Sequence, residues 1–83
     1  MDFEPTGDLL TDFQSAIDTQ TVISMEYTDR YGDYTTRNVA PLEIRGDRVY
    51  CWDLDKNGLR LFILGRIGNF TVMDQTFDKE SFS

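Results

Sequence analysis

From Thr21 to Met73 the chain is a succession of short runs in which apolar and polar residues alternate, each closed by residues suited to a tight turn. That rhythm excludes a helical bundle and demands strands. In TVISMEYT (21–28), Ile23, Met25 and Tyr27 fall on one face and Ser24, Glu26 and Thr28 on the other. With β-branched residues frequent, the run predicts a half-buried strand. Arg30-Tyr31-Gly32-Asp33 supplies a turn, and YTTRNVAPLEI (34–44) returns. Pro41 has no N–H to give a ladder, so it marks an edge, a bulge or a bend. Arg45-Gly46-Asp47 is a second tight turn, RVYCWDLD (48–55) a third strand, and Asp55-Lys56-Asn57-Gly58 carries the Asn-Gly pair that favours a tight hairpin. LRLFILG (59–65) is the fourth strand and NFTVM (69–73) a short fifth.

Ahead of the strands, DLLTDFQSAIDT (8–19) spaces Leu9 or Leu10, Phe13, Ala16 and Ile17 by three and four, the stripe of a short amphipathic helix. Thr6 or Asp8 caps its start, with Pro5 and Gly7 excluding an earlier one. A helix of this length needs a surface to dock on. One helix and five antiparallel strands joined by tight turns predict a mainly β fold, a five-stranded antiparallel small β-barrel with one N-terminal α-helix. The expected organisation is a single domain over residues 1–83, with the helix at about 8–19, barrel strands at about 21–73 and an acidic tail at 74–83. A core of that size is small, and oligomerisation is one way to support it.

The single Cys51 excludes an intramolecular disulfide, the first residues lack a basic stretch followed by an apolar run, and no segment approaches a membrane span. The expectation is a cytoplasmic protein with no membrane partner. Chemistry is scarce. Without histidine the commonest general base and metal ligand are missing. Cys51, between Tyr50 and Trp52, reads as a core thiol, and the pairs Asp53/Asp55 and Asp29/Asp33 follow no calcium-loop pattern. The sequence thus points to no enzyme, no metal and no cofactor.

What stands out is the arginine distribution. Net charge is −7, but residues 1–26 carry six acids and no base, and residues 68–83 three acids and Lys79. All six arginines, with Lys56, fall in 27–67 against six acids. Arginine's planar fork suits phosphate, carboxylate or a base edge. The structural alternative is ion pairing with Asp29, Asp33, Asp47, Asp53 and Asp55. On the third strand Tyr50, Trp52 and Leu54 share a face, and on the fourth Arg60, Phe62 and Leu64 do. Hairpin pairing would bring Arg60 near the Tyr50/Trp52 face or its barrel end, an arrangement suited to stacking a base and neutralising a phosphate. Arg60 and Arg66, six apart, share a face if the strand stays regular, with Gly65 a place for a bulge.

The ordered segments AI (16–17), VISMEY (22–27), RNVAPLEI (37–44), RVYCWDLD (48–55) and LRLFILGRI (59–67), closed by VMDQTF, resemble the WYL domain over roughly residues 13 to 77. The resemblance implies an Sm-like small β-barrel, a domain usually attached to a DNA-binding helix-turn-helix in bacterial transcription regulators and regarded as a sensor of nucleic acid or nucleotide-type ligands. The naming Trp-Tyr-Leu tripeptide falls on Val49-Tyr50-Cys51, so only its tyrosine is present. The family's arginine ahead of its proline matches Arg37 and Pro41, its R-x-F pair Arg60 and Phe62, and its closing R-I Arg66 and Ile67. Ile63 and Gly65 stand where the family commonly has a basic and an acidic residue, which removes a cation from the surface the resemblance implies. The usual helix-turn-helix is absent from these residues, which implies a ligand trap, a partner-binding accessory or a modulator, of a size that suits a bacterial or phage genome.

Two functions follow. The first is a non-enzymatic ligand-sensing or regulatory module that binds single-stranded nucleic acid or a nucleotide-type ligand through Arg37, Tyr50, Trp52, Arg60 and Arg66. The alternative is a protein–protein interaction module, an accessory or inhibitor that uses the acidic flanks and the barrel edges, with a protein partner or a homo-oligomer as its target.

Overall fold

Phe13 and Ala16, wholly buried, place one stripe of helix α1 (Leu9–Thr19) against the strands in this computed structural model, which describes residues 6–82. The expectation that Pro5 excludes an earlier helix start lies outside the described residues. Asp8 is the N-cap, accepting from Thr11 N at 3.1 Å. Asp12, buried in the first turn, accepts from Thr6 N, Thr6 Oγ1 and Gly7 N at 2.8–2.9 Å. Burial pushes the Asp12 carboxyl up, and these three donors outweigh it, leaving it below the usual carboxylate range. At the other end Gln20 takes a left-handed conformation (φ 53°) and turns the chain into the sheet.

The strands are β1 (Thr21–Thr28), β2 (Tyr34–Arg45), β3 (Arg48–Asp53), β4 (Gly58–Ile63) and β5 (Ile67–Thr76), with short 3-10 turns at Leu64–Arg66 and Lys79–Ser81. All pairings are antiparallel, in the order β4-β3-β2-β1-β5. The mainly β class with one N-terminal helix is thus the observed one. Among the described residues no ladder joins β4 to β5, so the sheet is strongly curled without hydrogen-bonded closure. A side chain bridges across instead: Tyr27 of β1 accepts from Ile63 N of β4 at 3.0 Å, its ring edge-on to Phe62 at 4.9 Å.

The core lies inside the curl. Ile23, Met25 and Tyr27 of β1, Val39 of β2, Val49 and Cys51 of β3 and Phe62 of β4 meet Phe13 and Ala16 of the helix. Pro41 falls where the β2–β3 register shifts, the bulge its missing N–H demands. Gly46 (φ 60°) makes the two-residue turn between Arg45 and Arg48. The Asn57-Gly58 pair does not form a two-residue hairpin. Asp53 pairs with Gly58, and Leu54–Asn57 make a four-residue turn with Asn57 left-handed (φ 55°). Asp53 Oδ1 accepts from Asp55 N and Lys56 N at 3.0 and 3.1 Å, which fixes the longer turn. Strand β5 runs to Thr76, three residues past the expected end, because Thr76 still pairs with Thr21. No helix among the described residues is long and apolar enough to cross a membrane.

Candidate functional site

Strand β3 alternates between the core and an outer face. Val49, Cys51 and Asp53 point inward, which leaves Tyr50 and Trp52 half-buried on the outside. Tyr50 pairs with Glu43 on one side and Leu61 on the other, and Trp52 with Ala40 and Leu59. Directly paired residues project to one face, so Leu59 and Leu61 of edge strand β4 stand beside the two aromatics at 60% and 42% exposure. Arg45 belongs to the same face. Its guanidinium lies 5.7 Å over the Tyr50 ring, and its Nε donates to Glu43 at 2.7 Å. The indole Nε1 of Trp52 donates to Asn57 Oδ1 at 3.2 Å, and Phe82 stacks on the Trp52 ring at 4.9 Å with 5° between planes.

The structure separates the expected arginines from this platform. Arg37 pairs with Met25 on the core side, donates to Asp53 Oδ2 at 3.1 Å and to Thr35 Oγ1 at 3.2 Å, and lies 5.7 Å from the Phe62 ring centre. Its side chain is only 17% exposed, and it neutralises an Asp53 that is 1% exposed. Arg37 also lines a shallow cavity of about 250 Å³ with Thr35, Thr36, Asp55 and Lys56. Arg60 pairs with Cys51, so it leaves β4 on the side opposite Tyr50 and Trp52 and reaches solvent at the sheet edge. Arg66 closes the 3-10 turn Leu64–Arg66, which ends the alternation that a shared face with Arg60 requires. That turn is held to the β2–β3 hairpin by Leu64 N donating to Asp47 O at 2.8 Å.

The ion-pair alternative holds for some arginines and fails for others. Arg37 pairs with Asp53, Arg45 with Glu43 and Arg48 with Asp47. Asp29 instead accepts from Tyr31 N and Asp33 N, and Asp55 from Asn38 N, as turn and strand-end caps. Among the described residues Arg60 and Arg66 have no carboxylate partner.

The buried Cys51 thiol is pushed far up by burial and by Asp53, which makes it a poor nucleophile. Among the described residues no group of three or more His, Cys, Asp or Glu is placed to hold a metal ion. A second depression, of about 520 Å³, lies between the start of α1 and β5, lined by Leu9, Asp12, Phe70 and Val72. None of the expected site residues reaches it.

Arg45, Leu59, Leu61 and Phe82 complete the outer platform, and they are not among the residues that the sequence pattern singles out. Arg45 is two residues from Glu43, the partner of Tyr50, so strand alternation carries the signal once the register is known. Leu59 and Leu61 look like ordinary core leucines until β4 proves to be an edge. Phe82 carries no local signal, because its place depends on how the chain folds back after β5.

Comparisons with known proteins agree with this architecture. The family model of the WYL domain matches residues 8–72. Among solved structures, the chain is similar to the proteasome accessory factor B/C (PafBC) of Arthrobacter aurescens, with a TM-score of 0.76 and 21% identity over 87% of this chain. The chain spans 12% of that protein's length. No curated protein matches the sequence.

Proposed function

This chain belongs to the WYL domain family, and we propose that it is a non-enzymatic regulatory module that senses a short, planar, anionic ligand, a nucleotide or the end of a single-stranded nucleic acid. The family resemblance implies that ligand class. The observation that carries the reading onto this chain is the outer face of β3, where Trp52 already holds a coplanar aromatic ring and Tyr50 lies beside it under a guanidinium. Such a surface stacks a base at about 1–3 kcal/mol per base without demanding a sequence. The phosphate then crosses the free edge of β4 toward Arg60 and Arg66, whose charges no carboxylate among the described residues neutralises. Arg37 takes a supporting part, shaping the inner side of the curl through Asp53. The acidic flanks favour a short ligand, since a long polyanion meets their repulsion. Fluorescence polarisation with labelled mononucleotides and short RNA and DNA strands tests this. Saturable binding that falls at least about tenfold in Tyr50→Ala and in Arg60→Ala/Arg66→Ala supports the proposal. Binding unchanged in both variants contradicts it.

A second reading is favoured by Leu59 and Leu61, which give β4 an exposed apolar face beside a backbone edge that no strand among the described residues pairs. On that reading the domain docks a protein or a second copy of itself through β4. Leu59→Ser/Leu61→Ser would abolish that association, while Arg60→Ala/Arg66→Ala would leave it intact.

A further inference from the structure

The segment after β5 folds back over the platform. Gln20, at the end of α1, holds it with two hydrogen bonds of 2.9 Å, its backbone carbonyl accepting from Phe77 N and its side-chain Oε1 from Lys79 N. Asp78 then caps the Lys79–Ser81 turn, accepting from Glu80 N at 3.0 Å through its side chain and from Ser81 N through its carbonyl. This turn delivers Phe82 to Trp52 at 4.9 Å and 5°, and to Phe77 at 5.8 Å and 29°. On the same outer face Ala40 pairs with Trp52 and is wholly buried, and Val22 is 2% exposed, although neither belongs to the main core. The outer face is therefore covered over Ala40 and Trp52 and open toward Tyr50 and the β4 edge, where Leu59 and Leu61 lie.

We propose that the segment Phe77–Phe82 is a built-in competitor for the Trp52 platform, a strap whose Phe82 ring occupies the position of a stacked base. The inference rests on the proposed ligand reading of Trp52 and adds the regulation of that site. The strap has the chemistry of what it would exclude: a planar ring stacked face to face, with the carboxylates of Asp78 and Glu80 close along the chain. Its anchors are few. Among the described residues, two hydrogen bonds at Gln20 and one ring stack hold six residues that the sheet does not pair. A ligand that stacks on Trp52 must displace Phe82, so its apparent affinity is lowered by the fraction of molecules in which the strap is closed.

The test is a titration of Trp52 fluorescence, the only tryptophan, with adenosine monophosphate and with a 5′-phosphorylated oligoadenylate trimer, for wild type, Phe82→Ala and Phe82→Tyr. The expected result is an affinity at least about tenfold higher in Phe82→Ala, with Trp52 more accessible to acrylamide quenching, and wild-type behaviour in Phe82→Tyr, which keeps the ring. Phe82→Leu retains apolar cover without a ring plane and serves if the alanine variant fails to fold; it too should bind more tightly than wild type. Equal affinities in wild type and the folded ringless variants would overturn the strap while leaving the ligand reading in place. No binding by any folded variant would overturn both.

Discussion

Replacing Arg37 by alanine should cost stability first and ligand binding second. Arg37 donates to Asp53 at 3.1 Å, and Asp53 is 1% exposed. Breaking a buried ion pair from one side costs about 3–5 kcal/mol, because the remaining charge has lost its partner. Two features reduce that figure here. The Arg37 side chain is 17% exposed, so water can reach the vacated position, and Asp53 keeps the N–H groups of Asp55 and Lys56. The lost contact with the Phe62 ring and the bond to Thr35 add back a smaller amount. A loss of about 2–3 kcal/mol is expected, equivalent to a fall in Tm of roughly 10–20 °C for a domain of this size. Thermal unfolding followed by circular dichroism measures it directly. Arg37→Lys should fall between, since an ammonium cannot span both Thr35 and Asp53 as a planar guanidinium does. A variant within about 0.5 kcal/mol of wild type would refute the reasoning and return Arg37 to the ligand-facing set.

Asp12 gives a pH signature. Its carboxyl is lower in the folded chain than unfolded, so the stability it contributes is present above the unfolded value of about 4 and is lost as pH falls through the folded value. Asp12→Asn, which turns one acceptor into a donor facing N–H groups, should cost about 1–3 kcal/mol at pH 7 and flatten the decline of stability below pH 4, measured by urea unfolding across that range. Tyr27→Phe removes the acceptor for Ile63 N and should cost about 1–2 kcal/mol, with the amide of Ile63 exchanging faster with deuterium than its neighbours in β4. Burial and Asp53 raise the Cys51 thiol, so iodoacetamide at pH 8 should leave native protein unlabelled for hours and modify it readily in denaturant. Rapid labelling without denaturant would contradict the buried position.

The strands were legible because their alternation is local. Ile23, Met25 and Tyr27 share a face in sequence and in space, and Gly46 turns the chain where a residue with positive φ is needed. What escaped the sequence depends on relations between strands. The set Arg60, Tyr50 and Trp52 is split because β4 pairs Arg60 with Cys51; the four-residue turn that Asp53 stabilises and a two-residue Asn-Gly hairpin alike set Arg60 on the face of Cys51 and Asp53, since a loop of even length keeps that alternation. Arg66 left the strand because three residues form a 3-10 turn between β4 and β5. Phe82 reaches Trp52 only through Gln20, sixty-odd positions earlier in the chain, a contact no local pattern encodes.

The most direct test of the central claim, that the outer face of β3 is a ligand platform, is a two-dimensional ¹⁵N–¹H spectrum of the labelled protein titrated with adenosine monophosphate. The indole N–H of Trp52 and the amides of Tyr50, Leu59, Leu61 and Phe82 are expected to shift together along one saturating curve. Shifts confined to the cavity between α1 and β5, or a spectrum unchanged at millimolar ligand, would contradict it.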